Sequence, residues 1–305
     1  MFPVLFSIGN LTVSSFGVFL ALAFLFAVFL VWRLARAWDL DEEKILDLTL
    51  LTFFGGLLFA RAHFILENFP LFGTSFLKWI LITKYPGFSF WGSLLGGILT
   101  LAIFTRRFKL DFWKVSDIAA VGLLGGLILG DIGCLLGGCG VGLPSKLFIA
   151  VTLVGVLGKR FPTQVLEVLL LALVLVKIWQ KATHFHKSGT IFAVSLISLG
   201  VIKVFTSSLR PYELKSYLFS FLTIFFGSLI YYRLTKRKFL NDVVNICLFL
   251  VGLLRDNQVR KSVFITLQKN WYNQKVAIFW KLRSFNKAAG VFLKKLNVKI
   301  SHKNA

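Results

Sequence analysis

The chain of 305 residues is 57% hydrophobic, has a mean hydropathy of +0.78, and carries only 16% charged residues. Its 35 Lys and Arg against 13 Asp and Glu give a net charge of +22. A soluble domain holds about 25% charged residues, so this composition excludes a soluble enzyme and a disordered chain, and the cysteines (Cys134, Cys139, Cys247) are too few for a secreted disulfide scaffold.

A multi-pass membrane protein with basic cytoplasmic segments fits instead. No Lys or Arg precedes Arg33, so the cationic region of a cleavable signal peptide is missing and the first apolar stretch reads as a retained span. A bilayer core of about 30 Å needs about 20 mostly apolar residues in a helix. In chain order, the stretches that meet this are 13–34, 46–66, 87–104, 112–136, 161–179, 189–205 and 214–232. Asp39, Asp41, Glu42 and Glu43 precede the second, where acids favour a helix N-terminus. Pro162 and Pro211 stand where the fifth and seventh begin. The expected fold is an all-α, polytopic membrane helix bundle of about seven transmembrane helices, over residues 1–232.

Loop charge sets the expected orientation. Alternate loops, with Arg33, Arg36, Lys44, Arg106, Arg107, Lys109, Lys114, Lys177, Lys181, Lys187, Arg233, Lys236, Arg237 and Lys238, carry twice the basic charge of the others. The richer side reads as cytoplasmic, placing the N-terminus outside and the C-terminus inside. Residues 233–305 form a basic cytoplasmic tail, in which Ile278, Leu282, Phe285, Ala289, Phe292, Leu296 and Ile300 recur at helical spacing among lysines. Such an amphipathic helix suits an anionic leaflet, at about 1 kcal/mol per basic residue near the surface. A solvated regulatory tail is the alternative. No nucleic-acid partner is expected, because no binding motif accompanies the charge. The short apolar stretch 239–254 reads as interfacial.

A charge at membrane depth costs about 2.5–3.5 kcal/mol on insertion scales and tends to mark a site. Arg61, Asp131, Glu167 and Lys203 fall at similar depth toward the outer face, with Asp131 expected against Arg61 or Lys203. They read as a polar cavity for an anionic headgroup, or as a buried ion-pair network that fixes helix register. Asp117 reads as an inner-interface residue, and His184 and His186 as solvated loop residues.

Gly122, Gly126 and Gly130, then Gly133 and Gly137, repeat every four residues, a spacing that lets helix backbones approach closely in lipid. The run 133–144 then leaves helical propensity behind. Non-helical backbone at membrane depth must be buried in protein or line a watery cavity, and its N–H groups could hold a phosphate. Within it, Cys134 and Cys139 read as small buried residues, with a redox pair or metal ligands as alternatives; two ligands make no metal site.

At this point the chain resembles the bacterial prolipoprotein diacylglyceryl transferases. Phe2-Pro3, Ser7-Ile8-Gly9 and Ser15-Phe16-Gly17 are similar to the family's opening, and Gly55-Gly56 with Ala60-Arg61 to its Gly-Ala-Arg segment. Gly87-Phe88-Ser89-Phe90-Trp91-Gly92 resembles Gly-Met-Ser-Phe-His-Gly. The signature Gly-Arg-Ile-Gly-Asn-Phe-Ile-Asn-Gly-Glu-Leu-Tyr-Gly-Arg falls on 130–143, matching at Gly130, Ile132, Gly133, Gly138 and Gly142. Phe161-Pro162-Thr163-Gln164-Val165-Leu166-Glu167 resembles His-Pro-Ser-Gln-Leu-Tyr-Glu, and Gly200, Lys203, Ser207 and Arg210 look like the family's pattern at the end of span six. Asp131 stands where the family has Arg, Trp91 where it has His and Lys203 where it has Arg. Asp for Arg removes a bidentate phosphate donor, and Lys for Arg keeps charge but loses the fork.

The resemblance implies transfer of a diacylglyceryl group from phosphatidylglycerol to the lipobox cysteine thiol of prolipoproteins, in the bacterial cytoplasmic (inner) membrane, without metal or organic cofactor. It implies Asp131, Glu167 and Lys203 as catalytic residues, with Asp131 or Glu167 as the base. Arg61, Trp91, Gly133, Cys134, Gly138, Gly142, Gln164 and Arg210 would bind substrate, with Arg61, Lys203 and Arg210 caging the phosphate. Expected partners are phosphatidylglycerol, prolipoprotein signal peptides and membrane lipids. A non-catalytic homologue that binds anionic lipid or precursor, and a small transporter, are the competing readings.

Overall fold

The computed structural model describes residues 4–8, 11–81, 84–85, 87–152, 156–211 and 214–237, with scattered positions between 239 and 283. It divides into two compact units, Met1–Lys236 and Arg237–Ala305. The first opens with an antiparallel hairpin, β1 (Val4–Ile8) and β2 (Leu11–Ser14), which the apolar pattern of span one concealed. Helix α1 (Ser15–Ala37) follows directly, capped by Ser14 Oγ, which accepts from the Gly17 N–H at 3.1 Å. Next come α2 (Glu42–Glu67), the short α3 (Phe69–Phe72) and α4 (Phe76–Ile80), α5 (Phe90–Arg107) and α6 (Phe112–Gly137). A small hairpin of β3 (Val151–Thr152) and β4 (Lys159–Arg160) leads to α7 (Thr163–Ala182), α8 (Thr190–Ser207) and α9 (Leu214–Thr235).

Seven of the described helices thus have 18 residues or more, and five of them (α1, α2, α6, α8 and α9) are long and apolar enough to cross a membrane. The chain is a mainly helical, multi-pass membrane protein. Acidic starts behave as expected: Asp41 caps α2 by accepting from the Lys44 N–H, and the Lys44 ammonium beside it holds its carboxyl below the ordinary aspartate value. Asp111 and Ser89 cap α6 and α5 in the same way.

Glycine decides which helices touch. A Cβ at Gly122 would lie 2.6 Å from Val31 and one at Gly133 would lie 2.5 Å from Phe19, while Gly137 faces Phe16; these positions let α6 run antiparallel against α1. Gly130, the middle of the expected stripe, meets nothing within 4 Å and instead lines a cavity. Gly92 and Gly96 let α5 press on α2, at His63 and Phe59, and Gly200 and Gly227 join α8 to α9. The main core gathers Leu30, Leu34, Leu48, Ile118, Leu124, Leu171 and Leu199 from α1, α2, α6, α7 and α8.

Two sequence expectations at the other end of the bundle change. Asp117 is fully buried and is no interface residue: its Oδ2 accepts from the Gly189 N–H and its Oδ1 from the Phe192 N–H, both at 2.7 Å, capping α8 from a neighbouring helix. Gly189 offers no side chain of its own for that job. His186 is not a solvated loop residue, since its ring packs 5.0 Å from Trp38 and its Nε2 lies 3.6 Å from Asp117 Oδ2. His184 is exposed, as expected.

In the second unit the described residues are mostly helical, with Trp271 and Trp280 exposed beneath the cations of Lys275 and Arg283. The expected amphipathic stripe from Ile278 to Ile300 lies outside the described residues, as do Phe2, Pro3 and Gly9 of the opening motif.

Asp117→Ala leaves two buried N–H donors without an acceptor, and hydrogen bonds to charged groups contribute about 1.5–3 kcal/mol each. The expected outcome is a loss of about 3 kcal/mol or more, read as a lowered thermal midpoint of helical circular dichroism in detergent. Asp117→Asn keeps one good acceptor and should lose less.

Candidate functional site

The end of the bundle where α6 finishes, α7 starts and α8 finishes collects the charges. On α7, Thr163, Gln164 and Glu167 are spaced three and four apart and share one buried face. On and after α8, Lys203, Thr206 and Arg210 follow the same spacing. The two faces meet on one carboxylate. Glu167 Oε1 accepts from Thr206 Oγ1 at 2.6 Å, Lys203 Nζ at 3.1 Å and Arg210 Nη2 at 3.2 Å, and its Oε2 accepts from Lys203 Nζ at 3.2 Å. Glu167 is 1% exposed, so these donors replace the water it has lost. Lys203 also sits 4.7 Å over the Phe90 ring.

Arg210 bridges outward from this cluster. Its Nε donates to Thr163 Oγ1 at 3.1 Å, and that hydroxyl donates to the Gly140 carbonyl. Gln164 Nε2 donates to the same carbonyl at 2.8 Å and to that of Cys139. The loop after α6 therefore forms one wall of the charged site. Asp131, on the last turns of α6, has Lys203, Glu167 and Arg210 as its charged neighbours, and its buried Oδ2 has no hydrogen-bond partner.

Sequence reasoning placed Glu167, Lys203, Arg210, Asp131 and Gln164 in one site, and the structure brings them together. The expected pairing of Asp131 with Lys203 is replaced by the Lys203–Glu167 pair. Arg61 does not join: its guanidinium donates to the carbonyls of Trp79, Tyr85, Gly87 and Lys78 and ties down the segment after α4. Five fixed N–H donors match a loop with several unpaired carbonyls. Trp91 stacks on Phe219 at 5.7 Å, and it is its neighbour Phe90 that faces Lys203.

The glycine run also differs. It stays helical to Gly137 and breaks only at Gly138, which caps α6 with φ +81°. Its N–H groups do not form an anion cradle: those of Gly138 and Cys139 return to the Cys134 carbonyl, and that of Leu143 bonds to Leu209. Carbonyls, not amides, face Gln164 and Thr163. Gly133 is a packing residue against Phe19, and Gly142 is needed where the loop passes the Phe161 carbonyl, which a Cβ would meet at 2.1 Å. Cys134 and Cys139 are not a pair of buried thiols: they form a disulfide with Cα atoms 5.1 Å apart, Cys139 being exposed. The left-handed turn at Gly138 brings them together, and a break in the helix was placed too early in the sequence to show it.

Thr163 and Thr206 were missed. Neutral hydroxyls carry no charge signal, but each stands three or four residues from a charged one, on the same helical face. Among the described residues, no three His, Cys, Asp or Glu gather where they could hold a metal ion.

Beside the cluster lies an apolar cavity of about 290 Å³ between α1, α2, α5 and α6, running from Ile45 and Val115 at one end to Leu20 and Gly130 at the other. A second, of about 140 Å³, lies between α5, α6 and α8 and shares Thr52, Ser93 and Gly97 with the first. The Thr52 and Ser195 hydroxyls on these walls are buried without partners.

Removing one member of a buried ion pair costs about 3–5 kcal/mol, because the partner charge is left uncompensated. Glu167→Ala, which strands both Lys203 and Arg210, should therefore lower the thermal midpoint far more than Arg61→Ala. Limited proteolysis separates the two sites: Arg61→Ala should expose cleavage between residues 78 and 87 and leave the loop after α6 resistant.

Comparison with known proteins places these features in a family. Over 142 residues the chain is 34% identical to the phosphatidylglycerol–prolipoprotein diacylglyceryl transferase of Deinococcus radiodurans, a match covering 45% of this chain and 42% of that protein. The protein of the same name from Thermosynechococcus vestitus is 32% identical over 148 residues, covering 47% of this chain and 55% of its own. In these two matches the chain spans about half the length of the relative. The likeness to the Synechococcus elongatus protein of that name is 28% over 222 residues, or 68% of this chain and 76% of that one. The family profile for prolipoprotein diacylglyceryl transferase matches residues 3–254, and with most of its length so matched, the chain belongs to the prolipoprotein diacylglyceryl transferase family.

Proposed function

We propose that this chain transfers a diacylglyceryl group from phosphatidylglycerol to the lipobox cysteine thiol of prolipoproteins, within the bacterial inner membrane. The observation that carries this reading is a Lys–Arg pair held by a buried carboxylate, with a second, unpartnered carboxylate beside it and apolar cavities alongside.

The reaction is a displacement at carbon by a thiolate, with a phosphate as leaving group. Lys203 and Arg210 carry the positive charge that would face the donor phosphate, and Arg210 supplies a fork suited to two of its oxygens. Glu167, whose two oxygens already accept from three side chains, positions these cations and is poorly placed to take a proton. Asp131 has the open oxygen, and it is the base in this reading: Oδ2 takes the thiol proton, sulfur forms a bond to the terminal glycerol carbon of the diacylglyceryl group, and that carbon's bond to phosphate oxygen breaks. Glycerol phosphate leaves against Lys203 and Arg210. Preorganised charge of this kind is what stabilises a developing phosphate anion. The two cavities would receive the donor's apolar chains.

In this reading α1, α2, α5, α6, α7, α8 and α9 are seven spans, with the N-terminus outside and the C-terminus cytoplasmic, so residues 1–232 form the transferase domain. The basic tail, 233–305, attaches to the anionic cytoplasmic leaflet, and the site faces the exterior, where the precursor's cysteine emerges.

The test is incubation of purified protein with phosphatidylglycerol and a lipobox peptide, following the lipidated peptide by mass. Asp131→Asn should retain lipid binding and lose about 10²–10⁴-fold in kcat, the range for a general base. Lys203→Ala should weaken phosphatidylglycerol binding by about tenfold or more, as loss of a charged contact does. Lipid binding by the parent protein without any lipidated peptide would overturn transfer and leave a non-catalytic lipid-binding homologue.

A further inference from the structure

The wall of the charged site is held by very little. Between the end of α6 at Gly137 and Leu143, the chain contains Gly138, Gly140 and Gly142, the residues with the greatest backbone freedom to lose. Two of the three, Gly138 and Gly140, sit at positive φ. Beyond the helix cap, the Leu143 N–H bonds to the Leu209 carbonyl, and the Cys134–Cys139 disulfide closes the near end. Yet the carbonyls of Cys139 and Gly140 are what orient Gln164 and Thr163, and Thr163 in turn holds Arg210 Nε. A Cβ at Gly140 would lie 2.9 Å from Gln164 Nε2 and 3.5 Å from Arg210 Nη2, so the wall stands directly against both.

We propose that the Cys134–Cys139 disulfide is a thiol-exchange site that controls the placement of Gln164 and Arg210. Its ligand class is a dithiol. Cys139 is exposed and Cys134 half-buried, so an incoming thiolate attacks Sγ of Cys139. The Cys134–Cys139 bond breaks, and its electron pair leaves on Cys134, which takes a proton. The reagent's second thiol then expels Cys139, giving two protein thiols and an oxidised reagent, a balanced two-electron exchange. With the bond gone, the glycine-rich wall is free to open, and Arg210 loses the hydroxyl that aims it. In the exterior-facing orientation proposed above, the disulfide is the resting state, as befits an oxidising compartment. Cys134 and Cys139 act as positioning residues, since they reach the donor phosphate only through Arg210.

The test uses the full chain carrying Cys247→Ser, so that only two cysteines report. Dithiothreitol at graded potentials sets the redox state, maleimide mass tagging counts thiols, and amide hydrogen exchange follows residues 133–144. Binding of short-chain phosphatidylglycerol is measured on the same samples. On reduction, exchange in 133–144 should quicken by about tenfold or more and lipid binding should weaken several-fold. Both changes should share the midpoint of the thiol count and reverse on reoxidation, with the amides of α1 and α8 and the thermal midpoint unchanged. The Cys134→Ala, Cys139→Ala double variant should match the reduced form and ignore reductant. Two free thiols in protein never exposed to reductant would overturn the proposal. So would reduction that leaves exchange and lipid binding as they were. Exchange and binding decide this point without a transfer assay, so failure of peptide lipidation would count against the proposed reaction alone.

Discussion

A carboxylate with no water around it organises this protein. Glu167 is buried at the start of α7, and an isolated charge there would be prohibitively expensive. It is tolerated because α8 and the residue three beyond it deliver a lysine, a threonine and an arginine onto its two oxygens. That requirement fixes the register of α7 against α8 to within a fraction of a turn. It also leaves two cations at the membrane-embedded end of the bundle whose charge is shared with one acid, and Arg210 extends the arrangement through Thr163 to the loop after α6. Pairing, helix register and loop position are one problem with one solution.

Much of this could be read from residue order. The depth of Glu167 and Lys203 in their apolar stretches and the position of Arg210 just beyond one of them put all three at one level, and the glycine stripe announced the contact between α1 and α6. Depth, however, says nothing of direction around a helix axis. Arg61 lies at the same level and was read as part of the same cage, but it points toward a loop whose carbonyls had no other donors. The two threonines escaped notice because a hydroxyl in an apolar stretch has no signature until its partner is known. Short structures failed for a different reason: β1, β2, α3 and α4 are made of the same aromatic and aliphatic residues as the spans beside them, so composition draws no boundary.

The glycines show why a single residue type cannot be given a single meaning. Gly122 and Gly133 are small because α1 lies against them, Gly142 because a carbonyl passes it, and Gly138 because the chain must turn left-handed to end a helix. Gly130 is open on its exposed side and borders the larger cavity, immediately before Asp131. One stripe thus supplies packing at both its ends and vacant space where an apolar chain can lie next to the charged groups.

The opposite end of the bundle carries a different lesson. Helix α8 begins at a glycine and borrows its first hydrogen-bond acceptor from Asp117 of α6. During synthesis α6 leaves the ribosome some seventy residues ahead of that turn, as the spacing between the partners dictates. The acceptor is therefore already in place when the N–H groups that need it arrive, and α8 completes its opening turn only by docking. Assembly order is written into the choice of which helix owns the cap.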